Sequence, residues 1–299
     1  MNILLLGKNG QVGWELQRAL QPLGDVTACD FDSPAELRAD FTRPESLALL
    51  IDRVRPELIV NAAAHTAVDK AESEPDVALA INSTAPGVIA REAARLGAHL
   101  VHYSTDYVFD GSGHKPRDEE AATGPLSVYG RTKLQGEELI RASGCTHLIL
   151  RTSWVYAARG GNFIRTMLRL AAERDKLDVI SDQIGAPTSA ELLADVTAHA
   201  ARRMRKAPRV SGTYHCVAAG ETSWHGYAKF VIEWARERGQ TLKVPAGSIN
   251  AIPTSAYPTP AERPLNSRLD TTKLQRAFDI SLPHWQQGVE RMLRETLNR

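Results

Sequence analysis

The sequence predicts an α/β fold in which a doubly wound parallel sheet is followed by a smaller C-terminal substrate-binding lobe. Short apolar runs alternate with amphipathic segments from Asn2 to Arg151, and a glycine-rich turn joins the first run to the first amphipathic segment. A further helix-then-strand unit returns near residues 190–218. Strands that alternate with helices form parallel sheets through right-handed crossovers. We therefore expect one domain at residues 1–153, which regains the segment near 190–218, and a second lobe at residues 154–299.

The composition is that of an ordinary globular chain without a strong overall charge. The 299 residues are 43% hydrophobic, and 36 basic against 35 acidic residues give a net charge of +1. This balance argues against a nucleic-acid or membrane partner. The apolar run at the start is too short for a signal peptide, so we expect a cytoplasmic protein. Cys29, Cys145 and Cys216 lie in apolar runs without metal-site spacing, and we expect them to be reduced and buried.

The first strand and helix enclose a glycine turn. Asn2–Leu6 is an unbroken apolar run typical of a buried strand, and Gly7, Gly10 and Gly13 follow it at the start of a predicted helix, Val12–Leu23. Glycines here let the backbone approach a pyrophosphate at the helix N-terminus. The first gap is wider than in the usual dinucleotide fingerprint, so a tight turn without a ligand remains the alternative.

The second predicted strand supports the dinucleotide interpretation. Val26–Cys29 ends at Asp30, twenty residues beyond Gly10. An acidic side chain at this spacing reaches the adenosine ribose hydroxyls of a dinucleotide. Because it would also repel a 2′-phosphate, Asp30 favours NADH over NADPH.

The third strand ends in a row of small residues. Thr42 and Glu45 have the spacing of a capping box, which predicts a helix at Pro44–Val54, and the apolar run Leu58–Asn61 predicts the next strand. Residues 61–66 then read Asn-Ala-Ala-Ala-His-Thr. Small side chains at the carboxyl end of a strand let a flat ligand lie against the backbone.

Hydroxyl groups follow the fourth strand. We predict a long helix over Pro75–Leu96 and a strand over Leu100–Tyr103, which leads into Ser104 and Thr105. Adjacent residues of a strand face opposite sides, so only one of these hydroxyls can point at a substrate. The spacing alone does not choose between them.

A tyrosine and a lysine share one face of the next predicted helix. The helix begins at Ser127, carries Tyr129 and Lys133 one turn apart, and leads to a strand at Thr146–Arg151. An ammonium beside a phenol stabilises the phenolate, so we expect the pKa of Tyr129 to be lowered and Tyr129 to act as a general acid. A surface lysine packed on a tyrosine ring is the alternative.

The rest of the chain is predicted to form a mixed α/β region. The Pro-rich run 252–264 is either an ordered crossing or a mobile flap. The predicted helices and strands are helix Phe163–Glu173, strand Leu177–Ile180, helix Ala190–Met204, strand Gly212–Val217, helix Trp224–Arg238 and helix His284–Leu297.

The glycine turn, Asp30, the Ser104-Thr105 strand end and Tyr129-x-x-x-Lys133 together resemble the extended short-chain dehydrogenase/reductase superfamily, which has a Rossmann fold. Within it, four segments are similar to the dTDP-4-dehydrorhamnose reductases: residues 102–111 (HYSTDYVFDG), 151–156 (RTSWVY), 185–188 (GAPT) and 263–270 (RPLNSRLD). The resemblance implies reduction of the 4-keto group of dTDP-4-dehydro-L-rhamnose to dTDP-L-rhamnose, towards bacterial cell-surface polysaccharide.

The resemblance also assigns residues to the site. Thr105, Tyr129 and Lys133 would be catalytic, and Thr105, Asp106 and Trp154 would contact the sugar nucleotide. The residues expected to bind NADH or NADPH are Gly7, Gly10, Gln11, Val12, Gly13, Asp30, Asp40, Phe41, Ala64, His65, Thr66, Tyr103, Tyr129 and Lys133. Arg263 and Arg268 are candidates for the substrate pyrophosphate, because guanidinium groups bind such anions in two-pronged contacts.

Several alternatives stay open at this point. A sugar-nucleotide 4,6-dehydratase or epimerase would use the same cofactor site, and a non-catalytic dinucleotide-binding regulatory subunit would retain it. The resemblance allows a homodimer. It also suggests Mg²⁺, but Glu15, Glu191 and the other acidic residues show no ligand spacing.

Overall fold

The structure is a computed structural model that describes residues 1–297. Its strands are β1 Asn2–Leu6, β2 Asp25–Cys29, β3 Leu58–Asn61, β4 His99–Thr105, β5 His147–Thr152, β6 Val155–Tyr156, β7 Leu177–Ile180, β8 Ile184–Gly185, β9 Thr188–Ser189, β10 Gly212–His215, β11 Thr222–Ser223 and β12 Ile249–Ile252. Its α-helices are α1 Gln11–Ala19, α2 Pro44–Val54, α3 Val68–Ser73, α4 Pro75–Leu79, α5 Ala85–Leu96, α6 Val128–Ala142, α7 Phe163–Glu173, α8 Ala190–Lys206, α9 Trp224–Glu237, α10 Thr272–Phe278 and α11 Trp285–Leu297.

Six parallel strands form the central sheet, in the order β10-β5-β4-β3-β1-β2. The chain runs outward from β1 to β2 and then returns to β3 on the other side of β1. Ligands of such sheets bind at the carboxyl ends of the strands where this reversal occurs. The predicted parallel α/β sheet is confirmed, and β10 joins it beside β5 as the returning segment.

The sheet is buried on both faces. Ile3 and Leu5 of β1 belong to one apolar cluster, which α1 and α8 cover, and Leu4 and Leu6 belong to the other, which α2, α5 and α6 cover. This alternation follows from the two-residue period of a strand. It explains why the strands read as continuous apolar runs in the sequence.

The C-terminal half adds a separate apolar cluster. Aromatic and aliphatic side chains of α7, α9 and α11 pack together, among them Tyr227, Trp234 and Trp285. Three two-stranded pairs flank these helices: β7 with β12, β8 with β11 and β6 with β9. Among residues 1–297, no helix combines the length and the apolar character needed to cross a membrane.

The structure corrects several local predictions. The predicted long helix Pro75–Leu96 contains a π-helical turn, Ala80–Thr84, between α4 and α5. The capping box is wrong: Arg43 is the N-cap of α2, and Thr42 instead bonds to Asp40. Strand β12 and helix α10 were not predicted. The predicted burial of all three cysteines as free thiols is confirmed.

Candidate functional site

A cleft of about 560 Å³ opens at the carboxyl ends of β1, β3, β4 and β5. It joins the glycine turn to the Tyr129 helix and reaches two tryptophans of the C-terminal half. Its lining consists of Gly7, Gly10, Gln11, Val12, Asp30, Ala62, Ala63, Ala64, Thr66, Val68, Tyr103, Ser104, Thr105, Asp106, Tyr107, Tyr129, Lys133, Thr152, Ser153, Trp154, Val155 and Trp224.

The glycine turn is shaped by close backbone approaches. Gly7 has φ +85°, and a Cβ there would lie 2.6 Å from the backbone nitrogen of Ala63. A Cβ at Gly13 would lie 1.8 Å from the carbonyl oxygen of Gly7, so the glycine is needed for α1 to pack on the turn. Gly13 does not line the cleft. Gly10 is the N-cap of α1 and provides no side-chain cap. The first amide groups of α1 therefore remain available to an anion.

The predicted adenosine end of the site is only partly in the cleft. Asp30 lines it and is oriented by the amides of Asn9 and Phe31, which donate to its carboxylate at 3.1 and 2.8 Å. Asp40 and Phe41 do not line it: Asp40 accepts hydrogen bonds from Thr42, and Phe41 packs in the core against the sheet.

The strand end after β3 is held in place by an asparagine that the sequence analysis missed. Asn82, in the π-helical turn, accepts the amide hydrogen of His65 at 2.9 Å and donates to its carbonyl oxygen at 3.1 Å. Ala64 and Thr66 line the cleft on either side, while His65 does not. A polar residue on the buried face of a predicted helix was the signal that could have identified Asn82.

Three residues at the end of β4 form the floor of the site. Thr105 donates from Oγ1 to Asp106 at 3.1 Å and accepts the amide hydrogen of Tyr107 at 3.2 Å. Asp106 is 2% exposed, and burial raises its pKa to about 6. The rings of Tyr107 and Tyr129 meet edge to face with centroids 5.4 Å apart. The end of β4 thus places Thr105, Asp106 and Tyr107 on the floor of the cleft, against Tyr129 of the next helix.

The start of α6 positions Tyr129 and Lys133. Ser127 is the N-cap and accepts the amide hydrogen of Gly130 at 3.2 Å, which fixes where the helix begins. Lys133 Nζ donates to the carbonyl oxygen of Tyr103 at 2.6 Å. The Tyr103 phenol points elsewhere, to Thr197 at 2.5 Å.

The predicted lowering of the Tyr129 pKa is wrong. Burial raises the pKa of Tyr129 to about 12, and the Thr105 hydroxyl opposes this only in part. Burial also lowers the pKa of Lys133 to about 8. Removal from water disfavours the charged form of each group, which moves the two values in opposite directions. At neutral pH both groups therefore carry their protons.

An aromatic wall closes the far side of the cleft. Trp154 stacks on Trp224 with ring centroids 3.8 Å apart and planes 17° from parallel. Trp154 has φ +48°, and Gly185 lies against its ring, where a Cβ would be 3.0 Å from Cε2. Trp224 was missed because its helix lies seventy residues away in sequence.

The two predicted pyrophosphate arginines already bind carboxylates and do not line the cleft. Arg263 donates to Asp69 at 2.7 Å, and Arg268 donates to Glu221 at 2.6 Å. Val68, the residue before Asp69, lines the cleft, so Arg263 lies near its edge. Their role with the substrate stays a prediction.

The magnesium that the resemblance suggested stays a prediction. Glu15, Glu191 and Glu295 line one depression, but both oxygens of Glu191 accept hydrogen bonds from Arg291, at 2.7 and 2.8 Å. Within the described part of the chain, no group of three or more His, Cys, Asp or Glu residues is arranged to hold a metal ion.

Comparison with known proteins gives a consistent family. The model of the RmlD substrate binding domain matches residues 1–298. A dTDP-4-dehydrorhamnose reductase of Salmonella typhimurium is 58% identical over 295 residues, which cover 99% of this chain and 98% of that protein. One from Burkholderia thailandensis is 47% identical over 303 residues, with 100% of each chain covered.

Solved structures agree. A dTDP-4-dehydrorhamnose reductase from Clostridium acetobutylicum superposes with a TM-score of 0.88 at 33% identity, with both chains fully covered (100%). One from Bacillus anthracis, in complex with NADP, superposes with a TM-score of 0.87 at 32% identity and covers 98% of this chain and 99% of that one. A cleft built from a glycine turn, Thr105, Tyr129 and Lys133 is thus found in a chain that matches these enzymes along its whole length, and this chain belongs to the dTDP-4-dehydrorhamnose reductase family.

Proposed function

We propose that this chain reduces the 4-keto group of dTDP-4-dehydro-L-rhamnose to dTDP-L-rhamnose with NADH or NADPH, the last step of dTDP-rhamnose synthesis. The observation that carries the proposal is the convergence of Thr105, Tyr129 and Lys133 on the cleft that begins at the glycine turn.

The nicotinamide cofactor fits the half of the cleft next to β1 and β3. The uncapped N-terminus of α1, with Gly10, Gln11 and Val12, would hold its pyrophosphate, and Asp30 would bind the adenosine ribose. Bound there, the reduced cofactor supplies a hydride to C4 of the keto-sugar. Lys133, deep in the cleft, would hold the nicotinamide ribose.

Tyr129 is the proton donor in this proposal. It is protonated at neutral pH because burial raises its pKa to about 12, yet an alkoxide is more basic still and takes the proton. Thr105 fixes the carbonyl oxygen by turning its hydroxyl from Asp106 to the substrate. Asp106 would then contact the sugar.

The C-terminal lobe would bind the sugar nucleotide. Stacked Trp154 and Trp224 offer the apolar surface that a deoxysugar needs, and both lie in the segment 154–299 that we assign to the sugar nucleotide. Arg263, at the edge of the cleft, would exchange Asp69 for the pyrophosphate, and Arg268 would exchange Glu221 for it.

We also propose that the enzyme is cytoplasmic and dimeric, which cell fractionation and sedimentation velocity would test.

Dehydratase chemistry is disfavoured by the residue after Asp106. Elimination needs a base that removes a carbon-bound proton, whereas the residue here is Tyr107. Burial raises the pKa of Tyr107 far above neutral, so its phenolate does not form.

The test is to mix the purified protein with NADH or NADPH and dTDP-4-dehydro-L-rhamnose and to follow the absorbance of the reduced cofactor. We expect one cofactor consumed per dTDP-L-rhamnose formed. With dTDP-glucose and no added cofactor, we expect no 4-keto-6-deoxy product. Formation of that product would show that the protein is a dehydratase and not a reductase. Cofactor binding without turnover of either sugar would favour a regulatory subunit.

A further inference from the structure

A buried chain of three polar side chains lies behind the cleft wall. Asn61 ends β3, His102 is its paired neighbour on β4, and Lys133 reaches β4 from α6, where it contacts His102 and the carbonyl oxygen of Tyr103. Asn61 and His102 are each 1% exposed, and Lys133 is 2% exposed. Buried polar groups at such positions are held by hydrogen bonds, so the direction of each bond can be worked out.

The backbone fixes the orientation of the Asn61 amide. Asn61 Oδ1 lies 3.1 Å from the backbone nitrogen of Ala63, and Nδ2 lies 3.1 Å from His102 Nδ1. A backbone N–H can only donate, so the amide oxygen must face Ala63. Asn61 Nδ2 therefore donates to His102 Nδ1, which must be unprotonated.

This bond determines where the proton of His102 lies. Burial, and next the charge of Lys133, hold the pKa of His102 well below its usual range, so the ring is neutral. A neutral imidazole with an unprotonated Nδ1 carries its hydrogen on Nε2. That Nε2 lies 3.2 Å from Lys133 Nζ.

The two nitrogens can form a hydrogen bond only when Lys133 is uncharged. An ammonium has no lone pair, so its N–H groups would face the N–H of His102, whereas a neutral amine can accept. Tyr129 and Glu137 lie on the same helix as Lys133, and the charged group that acts on Lys133 is Glu137. Glu137 favours the ammonium, but its carboxylate is shared with Arg151, whose Nη2 lies 2.7 Å away.

We propose that His102 is a positioning residue which, held by Asn61 with its proton on Nε2, donates a hydrogen bond to Lys133 and favours the uncharged form of that amine. The consequence for catalysis rests on the proposed function: His102 would set the pH above which Lys133 loses its positive charge and the reductase loses activity. The tautomer of His102 and the titration of Lys133 do not depend on that function, so they can be tested even if the enzyme acts on another substrate.

The first test observes the unaltered protein and uses one variant only to assign its signals. In protein labelled with ¹⁵N-histidine, long-range ¹H–¹⁵N spectra distinguish a protonated from an unprotonated ring nitrogen, and loss of the signals in His102→Gln assigns them. We expect the His102 Nδ1 to be unprotonated and Nε2 to be protonated. A hydrogen on Nδ1 would overturn the proposal.

The second test reverses the tautomer with a nearly isosteric change. In Asn61→Asp the carboxylate still accepts from Ala63 but also accepts a hydrogen from His102 Nδ1, which leaves a lone pair on Nε2 to face the ammonium. The pKa of Lys133, followed by ¹³Cε chemical shifts in lysine-labelled protein and assigned with Lys133→Arg, should rise by about one unit, a tenfold change. An unchanged value would overturn the proposal.

The control separates the tautomer from the added charge. The same Asn61→Asp change is made in a His102→Phe background, where no ring nitrogen links the two residues. We expect the rise in the Lys133 pKa to disappear there. If the full rise persists, the new carboxylate acts directly on Lys133 and the assigned role of His102 is wrong. In active protein, the alkaline limb of kcat/KM should shift together with the titration, with little change in KM.

Discussion

Raising the pH should switch the enzyme off through Lys133 and not through Tyr129. Lys133 must be an ammonium to serve the proposed reaction, and burial lowers its pKa to about 8. Tyr129 keeps its proton much longer, because burial raises its pKa to about 12. The pH at which activity falls therefore identifies which group is lost.

The size of the effect follows from the fraction of ammonium. With a pKa of about 8, that fraction is roughly one tenth at pH 9 and roughly one hundredth at pH 10. The value of kcat/KM should fall tenfold per pH unit above 8. If Tyr129 were the titrating group, activity would be constant throughout this range.

The assay is the initial rate of cofactor oxidation between pH 6 and about 10.5, with both substrates well below their KM values so that the rate refers to the free enzyme. Lys133→Arg is the matched control, because a guanidinium keeps its charge across this range. Its rate should be lower but independent of pH. A parent profile that stays flat to about pH 10 would refute the assignment of Lys133.

Titration of Lys133 does not unfold the protein, so unfolding does not explain the loss of activity at high pH. The folded-state pKa of Lys133 lies below its unfolded value of 10.5, so between about pH 8 and 10.5 the unfolded chain binds more protons than the folded one. Its contribution to stability therefore rises with pH in the same window in which activity falls. Circular dichroism at the pH values of the activity assay should show a folded protein from pH 9 to about 10.

Three further predictions concern single residues, and a fourth concerns magnesium. Tyr129→Phe should keep cofactor affinity but lower turnover by roughly 10²- to 10⁴-fold, the usual effect of losing a general acid; near-parent rates would contradict the assignment. Asp30→Ala should shift the ratio of the kcat/KM values for NADH and NADPH towards NADPH. An unchanged ratio would show that Asp30 does not contact the ribose. Asp106→Asn should raise the Tm at pH 7, where a buried carboxylate is charged at a cost, and the gain should vanish below about pH 4; equal Tm values at pH 7 would contradict that cost. Activity should survive a chelator at least in part, because Tyr129 supplies the proton without a Lewis acid; complete, magnesium-reversible loss would refute this.

The elements that the sequence predicted well are those determined by local pattern. The run Asn2–Leu6 forms a strand with the predicted bounds, because the apolar residues Ile3–Leu6 are buried on both faces of the sheet. Strand β12 was missed because Asn250 and Ala251 are exposed and the segment pairs with β7, about seventy residues earlier. The capping box at Thr42 failed because Asp40, two residues before it, competes for the threonine hydroxyl.

The residues of the site also divide into those that a local pattern predicts and those that it does not. Spacing alone placed Gly7, Gly10, Asp30, Tyr129 and Lys133, since each is fixed relative to a strand or helix end. Asn82 and Trp224 could not be placed, because each acts through a partner that only the folded chain brings near: the backbone of His65 and the ring of Trp154. Sequence patterns report the neighbours of a residue along an element and not those across the fold.

The electrostatic prediction failed for an instructive reason. A lysine one turn from a tyrosine suggested that its charge would acidify the phenol, but the same burial that brings them together also removes both from water. Desolvation dominates, so Tyr129 becomes a weaker acid and Lys133 a weaker base. This does not impair a reductase, because the alkoxide that forms at C4 is more basic than a phenolate and accepts the proton in either case. The acid that the reaction requires is one that is reliably protonated, which the buried wall of the cleft provides and a strongly acidified tyrosine would not.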